Sequence, residues 1–131
     1  MKKQIVFPKS GDSFESLDHI HIFGPLTLDS RKNRAYIVPD AKFKLSQNEF
    51  DVLNMLAARE NMTLTFEWLY RAIWDLGDGA DRRKEALRCI ETVINKINSR
   101  GTDFVWIDHQ TPFTYTYRSK WGYNRNEWQE A

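Results

Sequence analysis

Residues 82–100 read RRKEALRCIETVINKINSR, and neither glycine nor proline interrupts them. Apolar residues recur in this stretch at spacings of four, three and four, which is the period of one face of an α-helix. These residues are Ala86, Ile90, Val93 and Ile97. The opposite face carries polar and charged side chains, namely Lys84, Arg88, Glu91, Thr92 and Asn95. The sequence therefore predicts an amphipathic helix that packs one face on a protein core.

The charge of this stretch is concentrated and positive. It holds six Lys or Arg residues against two Glu, a net of +4, although the whole chain carries only +1. Residues 82–126 carry +5 and the rest of the chain carries −4. A helix with cations and amides on its outer face can lie in the major groove of DNA, but most basic helix faces are simply solvated. The helix alone leaves both interpretations open.

Length and composition limit what the chain can be. Its 131 residues, 41% of them hydrophobic, suffice for one domain with a real core. Cys89 is the single cysteine, so no internal disulfide can form. No apolar run approaches the about 20 residues that span a bilayer, and no signal peptide is visible at the start. We therefore expect a cytoplasmic protein in a reducing environment.

Residues that could carry chemistry are sparse. His19 and His21 would share one face of a strand, but no third metal ligand stands at a recognisable spacing. Cys89 has no paired base nearby in the sequence. Neither a glycine-rich phosphate loop nor a catalytic signature is present. We therefore expect no enzyme activity, no metal and no cofactor.

The N-terminal half predicts a small antiparallel sheet. Residues 1–21 form a tail of uncertain order, in which residues 4–7 could be a short strand. After an extended pair at residues 22–23, three strands are predicted by period-two alternation and by the turns between them. They cover residues 26–29, 34–38 and 42–45. Because the connections are short, the strands should form an antiparallel meander.

Two helices should follow the sheet. Ser46 and Glu49 have the spacing of a capping box, and Thr65 can cap a second helix. The first helix is predicted to end at Asn61 in a left-handed conformation and to bury Phe50, Leu53, Leu56 and Ala57. The second is predicted to bury Trp68, Leu69, Ala72, Ile73 and Trp74. Residues 75–81, with two glycines and three acids, break it before the basic helix.

After the basic helix the pattern is again that of strands. Residues 104–107 and 113–118 are predicted strands, joined by a loop at residues 108–112. A turn at residues 119–122 would lead into residues 123–125. Trp106 is predicted to lie in the core. The remaining aromatic residues are predicted to pack across the hairpin rather than to stack on bases, namely Tyr115, Tyr117, Trp121 and Tyr123.

Three motifs carry a family resemblance. They are FGPLTLD at residues 23–29, LSQNEFDVL at residues 45–53 and LYRAIW at residues 69–74. In this order, around a basic helix, they resemble the winged helix-turn-helix effector domain of OmpR/PhoB-type transcriptional regulators. The resemblance covers about residues 22–125. It implies an α+β fold with an N-terminal antiparallel β-meander, three helices and a C-terminal β-hairpin wing. The domain would occupy residues 22–126, with tails at residues 1–21 and 127–131.

The resemblance also implies a function. It implies sequence-specific binding of double-stranded DNA as part of a transcriptional regulator, with a recognition helix at about residues 82–98 in the major groove and a wing at residues 113–125 near the minor groove. RNA polymerase and a second copy, as homodimer or in tandem, are further implied partners. The candidate base-reading residues are Lys84, Arg88, Thr92 and Asn95. The candidate phosphate or minor-groove contacts are Arg83, Lys96, Arg118, Lys120 and Arg125.

The sequence departs from the family where DNA would be touched. Cys89 stands where the family often has His, and Glu91, Thr92 and Ile94 occupy positions that are commonly basic. Only residues 122–123, Gly-Tyr, match the family's wing cleanly. These departures, together with the low net charge, keep an alternative open: a winged-helix module for protein–protein contact in which DNA binding has been lost.

Overall fold

The computed structural model describes residues 18–100 and 103–120 as one α+β unit. Four strands come first: β1 (Ile20–Phe23), β2 (Leu26–Asp29), β3 (Arg34–Ile37) and β4 (Ala41–Lys44). Helix α1 (Gln47–Ala58) is followed by β5 (Thr63–Thr65), α2 (Phe66–Ile73) and α3 (Arg83–Arg100). The hairpin of β6 (Val105–Asp108) and β7 (Thr114–Ser119) comes last. The predicted fold class is confirmed.

The N-terminal sheet is an antiparallel meander in the order β1-β2-β3-β4. It contains one more strand than the three predicted, because residues 20–23 pair along their whole length with β2. Alternate side chains of the sheet face the core, and Leu26, Leu28, Ala35 and Ile37 are at most 2% exposed. The sheet therefore forms one wall of a core whose other walls are the helices.

Helix α1 begins as the sequence predicted. The backbone N–H of Glu49 donates to Ser46 Oγ over 3.1 Å, and the N–H of Ser46 donates to Glu49 Oε1 over 3.0 Å, which together make a capping box. The four residues predicted to be buried are buried, and Val52 joins them. Asn61 does take a left-handed conformation, with φ of 71°, but the helix ends three residues earlier at Ala58.

Helix α2 is capped by Thr65 as predicted, but its inward face was predicted wrongly in part. Trp68 is 39% exposed. The guanidinium group of Arg59 lies 4.8 Å from the centre of the Trp68 ring. Ala72 is also exposed. The buried positions follow the spacing of a helix that starts at residue 66, and Trp74 is buried just beyond its end. The buried residues of the helix are Phe66, Leu69 and Tyr70.

Helix α3 buries the predicted apolar stripe. Ala86, Ile90, Val93 and Ile97 are all 0% exposed. The hairpin is attached to this helix by Asn98, whose side chain accepts from the Ile107 N–H over 2.8 Å and donates to the Ile107 carbonyl over 3.1 Å. No described helix is long and apolar enough to cross a membrane.

The C-terminal hairpin belongs to a second sheet, in the order β5-β7-β6. Its connecting loop is at residues 109–113, so β7 forms the first half of the wing predicted at residues 113–125. Tyr115 and Tyr117 are buried, as predicted for packing residues, whereas Trp106 is only half-buried. The predicted strand at residues 4–7, most of the predicted turn at residues 119–122, and Trp121, Tyr123 and Arg125 lie outside the described residues.

Candidate nucleic-acid interface

The outer face of α3 is exposed along its length. Lys84, Arg88 and Asn95 lie opposite the buried stripe and are all solvent-exposed. Among the described residues, no carboxylate forms an ion pair with either cation. At a rise of 1.5 Å per residue, the three side chains spread over roughly 16 Å of helix. This row could reach successive positions on a surface laid against the helix.

Thr92 lies at the edge of this row. It is half-buried, and its hydroxyl donates to the Arg88 carbonyl oxygen over 2.9 Å. Because a hydroxyl has one proton, Thr92 can offer only its lone pairs to an outside group while this bond persists. Thr92 therefore faces the interface less directly than the three residues of the row.

A polar cleft runs along one side of the outer face, where α3 approaches the start of α1. Ser46, the N-cap of α1, and Asn48 line it from one side, and Arg88 and Thr92 line it from the other. The volume of the cleft is about 270 Å³. Cys89 also lines it, and burial raises the pKa of its thiol to about 12, with a further contribution from the nearby carboxylate of Glu49.

An apolar groove runs along the other side, where α3 approaches the tip of the hairpin. Leu87 and Arg83 of α3 line it together with Phe66 of α2 and with Pro112 and Phe113 of the tip. Its volume is about 550 Å³. The outer face of α3 is therefore flanked by α1 on one side and by the hairpin on the other.

Arg83, a predicted phosphate contact, is held by neighbours within the chain. Its guanidinium donates to Glu67 Oε1 over 3.0 Å and lies 3.7 Å from Asp81 Oδ1. The same group lies 4.5 Å from the centre of the Tyr70 ring. The bond to Glu67 raises the pKa of Arg83 above its usual value. Arg83 is half-exposed, so an outside anion could compete for it only by displacing these partners.

Lys96 and Arg118 are also paired within the chain. Lys96 Nζ donates to Glu49 Oε1 over 2.7 Å and to the Lys44 carbonyl over 3.0 Å. Arg118 forms an ion pair with Asp108 and donates to Asn61 Oδ1 over 3.2 Å. These two cations therefore lie apart from the row of Lys84, Arg88 and Asn95, and each connects separate elements of the fold.

The last two predicted contacts are Lys120 and Arg125. Lys120 is exposed, and its backbone N–H donates to the Phe104 carbonyl over 2.9 Å. It thus lies at the base of the hairpin, six residues of strand away from the tip. Arg125 lies outside the described residues.

Acidic residues balance the exposed cations of α3. Glu85 and Glu91 are both exposed on the same helix as Lys84 and Arg88. Apart from Arg83, Lys96 and Arg100, which contact other parts of the chain, the charged side chains of α3 therefore sum to no net charge. Its polar side chains can support directional hydrogen bonds, whereas its long-range attraction for a polyanion is weak.

The segment between α2 and α3 is held by Arg82, which was not among the predicted site residues. Its guanidinium donates to both carboxylate oxygens of Asp78, over 3.0 and 2.6 Å, and to the Trp74 carbonyl over 3.3 Å. Its backbone N–H donates to the Tyr70 hydroxyl over 3.0 Å. The bond from Arg82 holds the pKa of Asp78 well below its usual range. Arg82 therefore fixes the start of α3 relative to α2.

The structure thus brings together part of the predicted site and adds residues to it. Lys84, Arg88 and Asn95 share one exposed face with Thr92 at its edge. Leu87 and Phe113 were not predicted from the sequence, because their proximity depends on how the hairpin lies against α3. The described residues contain no group of three or more His, Cys, Asp or Glu side chains that could hold a metal ion.

The fold, in which α3 is flanked by α1 and by the hairpin, defines the structural class of the protein. The chain has the winged helix-turn-helix fold of OmpR/PhoB-type effector domains. It is similar to the C-terminal domain of the nisin resistance regulator NsrR, a lantibiotic response regulator, with a TM-score of 0.60 and 21% identity over 75% of this chain and 96% of that domain.

A second similar structure is the response regulator DrrB, an OmpR/PhoB homologue from Thermotoga maritima. The TM-score is 0.57 and the identity 17%, over 81% of this chain. The matched part is 49% of DrrB, so this chain spans about half the length of that protein. No protein-family model and no curated protein sequence matches the chain.

Proposed function

We propose that this domain binds double-stranded DNA sequence-specifically as part of a transcriptional regulator. In this proposal, a recognition helix at about residues 82–98, which contains most of α3, lies in the major groove. The wing region, residues 113–125, approaches the neighbouring minor groove. The observation that carries it is the exposed row of Lys84, Arg88 and Asn95, which no described part of the chain covers. The structures to which the chain is similar are response regulators, which supports the same function.

The row has the chemistry of base recognition. A guanidinium such as that of Arg88 can donate two parallel hydrogen bonds to guanine O6 and N7, and the amide of Asn95 can pair with adenine N6 and N7. Each such pair discriminates against the wrong base by about 1–3 kcal/mol. Glu91 can accept a hydrogen bond from cytosine N4. Lys84, near the start of the helix, can reach either a base or a phosphate.

Phosphate contacts would come from the remaining predicted residues. Lys120 is exposed and forms no ion pair with a described residue, so it is the simplest candidate. Arg83, Lys96 and Arg118 would each have to exchange a partner within the chain for a phosphate. We therefore expect them to contribute less to affinity than their charge suggests. Arg125 completes the proposed set.

A single recognition helix seldom supplies enough specificity for a regulator. We therefore include a second copy, bound in tandem or as a homodimer, among the proposed partners. RNA polymerase is a further proposed partner, because a transcriptional regulator must act on it directly or by exclusion. The proposed location is the cytoplasm, where such DNA would be encountered.

The central test selects bound sequences from a random pool of duplex DNA and then compares variants on the selected site. Arg88→Ala should weaken binding to this site by about 1–3 kcal/mol, which is a factor of about 5 to 150, because a bidentate base contact is lost. The loss of affinity should be smaller on unrelated DNA. Dissociation constants are measured by fluorescence anisotropy at several salt concentrations.

Lys42→Ala is the matched control for loss of one exposed cation. Lys42 lies on β4 and is exposed, next in sequence to the buried Phe43, and therefore faces away from the core. This substitution should leave both affinity and specificity unchanged. An equal loss on every sequence after Arg88→Ala would contradict base reading, and failure to enrich any sequence would overturn the proposed function.

The second candidate function is a protein-binding module. The internal pairing of Arg83, Lys96 and Arg118, with two acids on the outer half of α3, favours it. The two candidates differ in how they respond to salt. A DNA-binding domain should be retained on immobilised duplex DNA and released by moderate salt, whereas a protein-binding module should pass through at every salt concentration.

A further inference from the structure

Phe113 occupies an unusual position at the tip of the hairpin. Its backbone φ is 63°, in the left-handed region that bulky side chains rarely adopt. Its side chain is 59% exposed, although Phe is a residue that folding normally buries. Both features cost free energy, since a strained conformation and a hydrated aromatic ring are each unfavourable. Neither is explained by the packing of the core, to which this residue contributes little.

The surrounding hydrogen bonds fix the backbone of the tip. The Phe113 carbonyl accepts from the Phe66 N–H over 2.8 Å, which attaches the tip to the start of α2. The Thr111 carbonyl accepts from the Thr114 N–H over 3.2 Å and from the Thr114 hydroxyl over 2.8 Å. The centre of the Phe113 ring lies 6.2 Å from that of the Phe66 ring, and the Phe113 side chain remains mostly exposed. The tip is therefore a fixed support that presents one aromatic ring to solvent.

The Phe113 ring lies close to the outer face of α3. Phe113 and Leu87 line the same apolar groove, and Leu87 lies one helical turn from Lys84 and adjacent to Arg88 on α3. A duplex that received the row of Lys84, Arg88 and Asn95 would therefore lie directly beside the ring. The nearest part of the duplex beyond the major groove is the sugar-phosphate backbone and then the minor groove.

The tip has no cationic side chain with which to enter a minor groove. Residues 109–113 are His, Gln, Thr, Pro and Phe, without Lys or Arg. Arg118, the nearest arginine along β7, is paired with Asp108. An electrostatic contact with the narrow groove is therefore not what this tip offers. The tip offers an apolar contact instead. Proteins that bend DNA insert Phe, Leu, Ile, Met or Pro side chains at base steps from the minor groove.

We propose that Phe113, with Pro112 beside it, is an apolar wedge that packs on sugars and base edges in the minor groove and partly opens one base step. This inference rests on the proposed function and specifies how the hairpin takes part in it. The cost of opening depends on sequence, because pyrimidine–purine steps unstack most easily. The wedge therefore adds a preference for such a step beside the site read by α3, without a hydrogen bond to any base.

The test compares Phe113→Gly with Phe113→Leu. Glycine accepts positive φ without strain and removes the ring, whereas leucine keeps an apolar side chain and the strain. Phe113→Gly should leave the melting temperature unchanged or raise it, because relief of strain offsets the lost packing and the greater chain entropy of glycine. Its affinity for the selected DNA should fall about tenfold, while Phe113→Leu should lose less than threefold.

Three further measurements identify a wedge specifically. Energy transfer between dyes at the ends of the duplex should show a bend with wild type and Phe113→Leu, and a smaller bend with Phe113→Gly. The salt dependence of binding should be the same for all three proteins, since no phosphate contact changes. Replacing the pyrimidine–purine step beside the α3 site should weaken wild type and leave Phe113→Gly unaffected.

The outcomes separate the wedge from the function on which it rests. If wild type binds DNA but Phe113→Gly binds and bends it equally well, the wedge is overturned and the proposed function stands. If Phe113→Gly lowers the melting temperature by more than about 5 °C and DNA bending is unchanged, Phe113 is a packing residue and the wedge is again overturned. If wild type binds no duplex, both proposals are overturned. Both proposals are also overturned if wild type binds no duplex but binds a protein through the apolar groove, and if Phe113→Gly abolishes that protein binding.

Discussion

Cys89 shows at the scale of one residue how packing removes an intrinsic reactivity. The thiolate is the reactive form of cysteine, and its population depends on the pKa. Cys89 is half-buried between α1 and α3, and desolvation raises its pKa from 9.0 to about 12. Glu49 and Glu85 raise the pKa further, because a thiolate at Cys89 would place another negative charge near their carboxylates. The thiol should therefore stay protonated across the neutral range.

We expect Cys89 to react slowly with iodoacetamide in the folded protein at pH 8. A raised pKa means that the neutral form persists to higher pH, so the rate should keep increasing up to about pH 12 instead of levelling off near pH 9. Unfolding in guanidinium should accelerate alkylation by roughly a hundredfold or more, since the thiol regains its ordinary pKa and becomes accessible. Mass spectrometry of quenched samples measures the rate. Equal rates in both states would show that the thiol is neither desolvated nor protected.

Among the elements, α1 and α3 were predictable because their signals are local. A capping box spans four residues, and the buried stripe of α3 repeats within one helix, so neither depends on distant parts of the chain. Helix α2 was harder. Trp68 was expected in the core because Trp is apolar, yet it packs on Arg59 at the surface while Phe66 and Tyr70 are buried. The phase of so short a helix is set by its cap at Thr65 and by tertiary packing, which override residue type.

The pairing of the site's cations could not be predicted from the sequence. Lys96 and Glu49 are 47 residues apart, and Arg118 and Asn61 are 57 residues apart. Only the way in which α3 and the hairpin pack against α1 brings them together. The residue types of the candidate interface were thus predicted, but which of them are available to an outside partner depends on the tertiary structure.

Lys84 and Lys96 should therefore respond differently to substitution by alanine, although both belong to α3. Lys96→Ala should destabilise the fold by about 1 kcal/mol, because it leaves the partly buried Glu49 without its cation. It should barely change the salt dependence of DNA binding. Lys84→Ala should leave stability unchanged and lower the slope of log K against log salt by about 1, if Lys84 meets a phosphate.

Chemical denaturation measures the stabilities in this comparison, and anisotropy titrations at several salt concentrations measure the slopes. Lys42→Ala is again the control, with no expected change in either quantity. The reverse pattern, in which Lys96→Ala lowers the slope and Lys84→Ala does not, would show that Lys96 leaves Glu49 to contact DNA.

Across the whole molecule, folding cancels part of a separation of charge that the sequence displays. Residues 82–126 carry +5 and the rest of the chain −4, but Lys96 pairs with Glu49 and Arg83 pairs with Glu67 across that boundary. In the described part of α3 and the hairpin, Lys84, Arg88 and Lys120 are the cations that meet neither a carboxylate nor an aromatic ring. Under the proposed function, one domain should thus release few counterions from DNA.

Under the proposed function, this weak electrostatic attraction has a consequence for the kind of DNA site that would be bound. Even with a phosphate contact at each of these three cations, Arg88 included, the slope of log K against log salt would be about −3, which is too shallow for tight binding by one domain. Two domains on adjacent half-sites would double the contacts and the bases read.

We therefore expect selected DNA to contain two copies of one short motif, with centres about 10–11 base pairs apart, so that both recognition helices approach from the same side of the duplex. Binding should be cooperative, and inserting about five base pairs between the copies should abolish the cooperativity by turning the second site to the opposite side. Analytical ultracentrifugation with labelled duplexes counts the bound copies. A single motif saturated by one domain, with a slope much steeper than −3, would mean that the paired cations exchange their carboxylates for phosphates on binding.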